Sequence, residues 1–81
     1  MEKIVVMNKL QEICREVFSD INLCINEKTS AVDIEKWDSM TNLIFIDAIE
    51  KTFEMKISLD EIIQSENIGD FCNIILKKSD K

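Results

Sequence analysis

The sequence predicts an all-α domain: a small four-helix bundle with three main helices, a short third helix, and a long loop between helices 1 and 2. Three observations carry this. There is one Gly and no Pro in 81 residues, whereas sandwiches and barrels need many tight turns built on such residues. Apolar residues recur at helical spacing in three separate stretches. Hydrophobic residues make up 46% of the chain, enough to argue against disorder. The length implies one domain, residues 1–81. So small a domain buries only roughly 60% of its unfolded surface, which makes the core marginal.

The first helix is expected over about Lys3 to Phe18. Val6, Leu10, Ile13, Cys14 and Val17 follow one buried stripe, and Gln11, Glu12, Arg15 and Glu16 take the other side. Ser19-Asp20 breaks it. Residues 19–38 hold no sustained helical period, and without Gly or Pro turn residues a two-stranded ribbon is disfavoured. They read as a long connection with its apolar side chains tucked into the core. A loop near 20 residues is uncommon in a compact domain and usually functional where it occurs. It ends in Trp37-Asp38-Ser39.

The second helix is expected over Ser39 to Phe53, with Phe45, Ile46, Ile49 and Phe53 facing inward. Leu43-Ile44-Phe45-Ile46 poses a problem, because four consecutive positions sweep about 300° of the helix circumference. Either this helix is covered on several sides, or Met40, Leu43 and Ile44 lie partly exposed as a docking flank. Ser58-Leu59-Asp60-Glu61 has capping-box spacing and predicts a short third helix, about Leu59 to Gln64. Asn67 suits the cap of a fourth, about Ile68 to Leu76, with Ile68, Phe71, Cys72 and Ile75 on one face. Lys77 and Lys78 follow, where cations complement the helix dipole.

Composition excludes several function classes. A net charge of -6 and a pI near 4.5 disfavour nucleic-acid binding, since an acidic surface repels phosphates. No basic amphipathic segment and no long apolar run suggest membrane insertion. The three cysteines are isolated and there is no His, so no zinc site is expected. Asp33, Glu35 and Asp38 lack the ligand density and the glycine of a calcium loop. No signal-peptide pattern opens the chain, which reads as cytoplasmic with reduced thiols. Without His and Tyr the acid–base set is restricted, and no nucleophile elbow or phosphate loop is present. A non-enzyme is expected.

Ser39 is the residue of interest. Asp38 and Ser39 are both favoured caps, and Asp38 alone suffices. The loop delivers the redundant hydroxyl to an exposed helix end beside an apolar flank. A phosphate ester there would meet the positive end of the helix dipole, a stabilisation of roughly 0.3–1 kcal/mol.

Trp37-Asp38-Ser39-Met40, followed by LIFIDAIEKTF, resembles the modification site of the acyl carrier proteins, in which an Asp-Ser-Leu or Asp-Ser-Met triplet begins the second helix. The resemblance covers nearly the whole chain in length and helix order. It implies an attachment site at Ser39, where a phosphopantetheinyl transferase places 4'-phosphopantetheine from coenzyme A. It also implies a supporting role for Asp38 in positioning the arm or in recognition by the transferase. Met40, Leu43, Ile44, Asp47 and Glu50 become the partner-facing side of helix 2. The arm's thiol holds acyl or aminoacyl cargo as a thioester, and the tether raises its effective concentration at a partner's site. A marginal bundle that parts its helices could shelter an apolar chain, at about 0.8 kcal/mol per methylene.

Other implied partners are a loading ligase and a downstream acyltransferase or synthase of fatty acid, polyketide or other specialised biosynthesis. A monomer is expected. Two features differ from the housekeeping carriers: Ser39 to Glu54 holds three acids, Asp47, Glu50 and Glu54, against Lys51, and Ile44 stands five residues past the serine where those carriers often have an acid. The Trp before Asp-Ser looks more like free-standing carriers of specialised pathways, and Asp-Ser-Met also occurs in D-alanyl carriers. The competing reading is an unmodified helical adaptor that binds a partner through the apolar flank of helix 2. A small acidic regulator acting by charge mimicry is a further rival.

Overall fold

The computed structural model describes residues 1–79. The described residues form four α-helices: α1 Lys3–Val17, α2 Ser39–Phe53, α3 Leu59–Gln64 and α4 Ile68–Ser79. A 3-10 turn, Ala31–Asp33, interrupts the loop between α1 and α2. α1 packs against both α2 and α4. The predicted inward faces are the buried ones, Val6, Leu10, Ile13 and Cys14 of α1, Phe45, Ile46, Ile49 and Phe53 of α2, and Ile68, Phe71, Cys72 and Ile75 of α4, except that Val17 at the end of α1 is only half-buried against the core.

Each helix end has a local cause. α1 stops where Ser19 turns left-handed, with φ 52°, and the Phe18 N–H bonds back to Cys14 O. α3 starts in the predicted capping box. Glu61 N–H donates to Ser58 Oγ at 3.2 Å, and Ser58 N–H donates to Glu61 Oε1 at 2.8 Å. The Ser58 N–H and then Lys78, whose Nζ lies 3.0 Å from Glu61, hold the Glu61 carboxyl below its usual range. α4 begins under the Asn67 cap, whose Oδ1 accepts from Asp70 N–H at 2.9 Å. It runs to Ser79 rather than stopping near Leu76. No breaker lies beyond Leu76, and the Lys78–Glu61 pair ties the last turn to α3.

The loop departs further from expectation. Leu23 and Ile25 pack against the core and Ile34 and Trp37 are buried, but Ile21 and Val32 point to solvent. Asp20 Oδ1 accepts from Asn22 N–H at 3.0 Å. That curls residues 20–22 into a turn and throws Ile21 outward. Val32 is the middle residue of the 3-10 turn, whose ends are held by Ser30 and Asp33, and a single turn can aim only one flank inward.

The polar side of α1 holds this loop. Gln11 Nε2 and Arg15 Nε both donate to Leu23 O, the latter at 2.8 Å, and Ile25 N–H donates to Gln11 Oε1 at 2.9 Å. At its middle the loop caps α4. Ile68 N–H donates to Thr29 O at 2.9 Å and Gly69 N–H to Glu27 O at 2.8 Å, which satisfies donors that a helix start leaves free. Lys3 and Glu27 add an exposed ion pair at 2.6 Å. All three cysteines are free thiols. Cys24 is exposed, Cys14 and Cys72 are buried, and burial pushes the Cys14 thiol up to about 12.

Gly69 is where loop and helix come closest. A Cβ there would sit 2.9 Å from Glu27 O and 3.1 Å from Glu27 Cβ. Removing a helical glycine gains about 0.5–1 kcal/mol, whereas forcing atoms into a packed site costs about 1–3 kcal/mol. The clash involves backbone and wins. Gly69→Ala should therefore be less stable by about 1 kcal/mol in urea unfolding, and a gain in stability would show that the loop yields freely.

Candidate functional site

Ser39 is the first residue of α2, and Asp38 is its N-cap. Asp38 Oδ1 accepts from Met40 N–H at 2.9 Å and from Thr41 N–H at 3.0 Å. Thr41 Oγ1 accepts from Asp38 N–H at 2.8 Å and donates to Lys36 O at 2.7 Å. This reciprocal box satisfies the helix start. The Thr41 N–H, against opposition from desolvation and with help from Met40 N–H and the Thr41 hydroxyl, holds the Asp38 carboxyl below its usual range. Ser39 takes no part. Its residue is exposed, and among the described residues nothing pairs with its hydroxyl.

Two residues before Ser39, Trp37 turns into the core. Its indole N–H donates to Asn42 Oδ1 at 2.9 Å, and its ring meets Phe18 and Phe45 at 5.4 Å and Phe71 at 6.4 Å between centroids. Phe45 completes the cluster, 5.9 Å from Phe18 and 5.3 Å from Phe71. Contacts of this kind contribute about 0.5–1.5 kcal/mol each beyond area burial. Beside Ser39 lies a groove of about 380 Å³. Ala31, Trp37 and Phe71 give it an apolar wall, while Asp38, Asn42, Ser65 and Glu66 supply polar groups.

The four apolar residues in a row resolve into two faces. Phe45 and Ile46 are buried; Leu43 and Ile44 are 67% and 52% exposed, and Met40 is 74% exposed. Ile44 also borders a second groove, of about 460 Å³, shared with Ile13 and Val17 of α1. Asp47 is exposed but paired with Lys51 at 3.0 Å. Glu50 follows Asp47 on the same helix face, and the two edge one groove. Glu50 is half-buried, and its Oε2 accepts from Ile57 N–H at 2.9 Å, so its carboxylate holds the connection from α2 to α3. The structure thus groups Asp38 and Ser39 at the groove and Met40, Leu43 and Ile44 along the adjoining flank, with Asp47 and Glu50 further along α2 and Glu50 also bonded to Ile57 N–H.

No family model matches this sequence, and no curated protein matches it. Among solved structures, the chain is similar to the holo acyl carrier protein of Geobacter metallireducens, determined in solution by NMR. The TM-score is 0.87 at 32% identity, covering 91% of this chain and 85% of that one. This chain belongs to the acyl carrier protein family. The carrier fold accounts for the element order and for the long first loop. Among the described residues of this carrier, no helix is long and apolar enough to cross a membrane, and no group of three or more potential metal ligands comes together.

Several residues of the site escaped sequence reasoning. Thr41 was findable, because Asp38 and Thr41 have the spacing of a capping box. Ser65 and Glu66 reach the groove from the α3–α4 connection, a long-range placement with no local signal. The partner of Trp37, Asn42, had none either.

The cap separates the roles of the two neighbours. Asp38→Ala should lower the melting temperature by about 5 °C, while Ser39→Ala should leave it within experimental error. The folded pKa of Asp38 lies below its unfolded value, so the charge's contribution is present above the unfolded pKa and is lost as pH falls through the folded one. The stability gap between the parent and Asp38→Asn should accordingly shrink below about pH 4, as read by thermal melts across a pH series.

Proposed function

We propose that Ser39 carries 4'-phosphopantetheine and that this carrier presents acyl or aminoacyl groups to partner enzymes without catalysing a reaction itself. The observation that carries the reading is the free hydroxyl of Ser39. It stands at an exposed helix start whose capping is already done by Asp38 and Thr41. The similar Geobacter protein is described as holo, which supports a prosthetic group in this family member too.

The residues present fit the group. The Ser39 oxygen projects where a transferase could reach it, and the groove edged by Asn42, Ser65 and Glu66 offers donors and acceptors to a polar arm. In the attachment step Ser39 Oγ attacks the phosphorus of coenzyme A that bears pantetheine. A phosphodiester forms, the pyrophosphate bond breaks, adenosine bisphosphate leaves, and the hydroxyl proton passes to the transferase. Once attached, the arm supplies a thiol that holds acyl groups as thioesters. Asp38 keeps Ser39 at a defined helix start, and the dipole of α2 favours the phosphate's charge there. Met40, Leu43 and Ile44 supply an apolar docking flank for the transferase, a loading ligase and a downstream acyltransferase or synthase. An adaptor that is never modified would use the same flank.

Intact-protein mass after incubation with coenzyme A, magnesium and a broad-specificity phosphopantetheinyl transferase tests the reading. One added phosphopantetheine is expected on the parent and none on Ser39→Ala. No gain on folded protein with several transferases would favour the adaptor. For the flank, Ile44→Asp should cut the transferase's kcat/KM roughly fivefold or more with circular dichroism unchanged. An unchanged rate would remove Ile44 from the docking surface.

A further inference from the structure

The groove beside Ser39 is rich in acceptors and short of donors. The Asp38 and Glu66 carboxylates that line it accept only, at neutral pH. The Ser65 hydroxyl spends its hydrogen on Glu61 O at 2.7 Å and keeps lone pairs alone. The Trp37 indole N–H is spent on Asn42 Oδ1 at 2.9 Å, and the Ser39 hydroxyl loses its hydrogen once it is esterified. Among the described residues lining the groove, the side-chain donor that remains is the Asn42 amide, Nδ2.

Asn42 is fixed at both ends. Its backbone N–H donates to Asp38 O at 2.8 Å. An indole N–H can only donate, so the amide must give its oxygen to Trp37, which leaves its nitrogen for the groove. Trp37 in turn is wedged against Phe18, Phe45 and Phe71. Asn42 follows Ser39 by three residues, which places it on the same side of α2, about 4.5 Å further along the axis. A donor already held this way loses little freedom when it binds.

We infer that Asn42 is a positioning residue for the arm: its Nδ2 donates to the carbonyl of the amide nearest the phosphate, so that the inner half of the arm lies in the groove and the thiol end swings free. The inference rests on the attachment reading above and assigns a holder within it. The other walls suit the same stretch of the arm. Ahead of that amide lie a hydroxyl, which can donate to Ser65 or Glu66, and geminal methyls, which match the apolar wall of Ala31, Trp37 and Phe71. Holding the inner half shortens the free tether, and a shorter tether that still spans the gap concentrates its end at a partner's site.

The test is NMR relaxation of the arm on the whole carrier. Phosphopantetheine with isotopically labelled amide nitrogens is transferred to Ser39, and intact mass verifies the load. Absence of the mass gain would refute attachment itself, separately from this inference. On the parent, the inner amide is expected to show an order parameter above about 0.6 and the outer amide one below it. Asn42→Asp keeps an oxygen for the indole and lacks the donor, and Asn42→Ala lacks the donor without adding charge. In both, the inner amide should fall below about 0.6, and in Asn42→Asp the resonance of Trp37, the chain's single tryptophan, should keep its folded position. An inner amide below that limit on the parent, or above it in either variant, would overturn the inference. A second measurement needs no variant: an NOE from the Asn42 Nδ2 hydrogens to the arm's geminal methyls is expected on the parent, and its absence would equally overturn the assignment.

Discussion

The placement of Trp37 in the core governs much of the molecule. Its ring joins three phenylalanines drawn from the end of α1, the middle of α2 and the first turn of α4. One side chain therefore anchors the end of the long loop to three helices at once. Because the next residue is the cap, that anchor also decides where α2 starts and which way its first turn points. Asp38 and Thr41 then close the start, and Ser39 is left outside with its hydroxyl unengaged. The exposed site is thus a by-product of a buried one, set by the two-residue offset between them.

The loop belongs to the framework as much as the helices do. Gln11 and Arg15 grip its first half through the backbone at Leu23 and Ile25, and Glu27 and Thr29 hand their carbonyls to the start of α4. The loop thereby does for α4 what side-chain caps do for α2 and α3. The close approach at Gly69 follows from that arrangement.

Much of this was legible in the sequence because it is encoded locally. The spacing of Val6, Leu10, Ile13 and Cys14, the Ser58–Glu61 box and the Asp38 cap each specify a helix or its end within a few residues. The bounds of α2 and α3 agree with expectation for that reason. The run Leu43 to Ile46 showed that something must be exposed, but only the packing shows which residues. What escaped was non-local or read with the wrong period. The alternation of Ile21, Leu23 and Ile25 suggested one inward edge, yet an Asp20 turn breaks the extended geometry on which alternation depends. Glu50 looked like one more surface acid until the fold brought Ile57 N–H against it. Ser65 and Glu66 meet Ser39 only through tertiary structure.

The charges of α2 also bear on how fast this carrier could meet a partner. Asp47 is neutralised by Lys51 one turn along, and Glu50 is committed to a backbone donor. The flank of Met40, Leu43 and Ile44 itself presents apolar surface rather than a row of free acids. Electrostatically steered pairs associate at about 10⁸–10⁹ M⁻¹s⁻¹ at low salt, against about 10⁵–10⁶ M⁻¹s⁻¹ for unsteered ones. A carrier docking through this flank draws its steering from the net charge of -6 on the whole chain rather than from acids at the contact itself. Its choice among enzymes would then depend on how long each complex survives rather than on how often it forms.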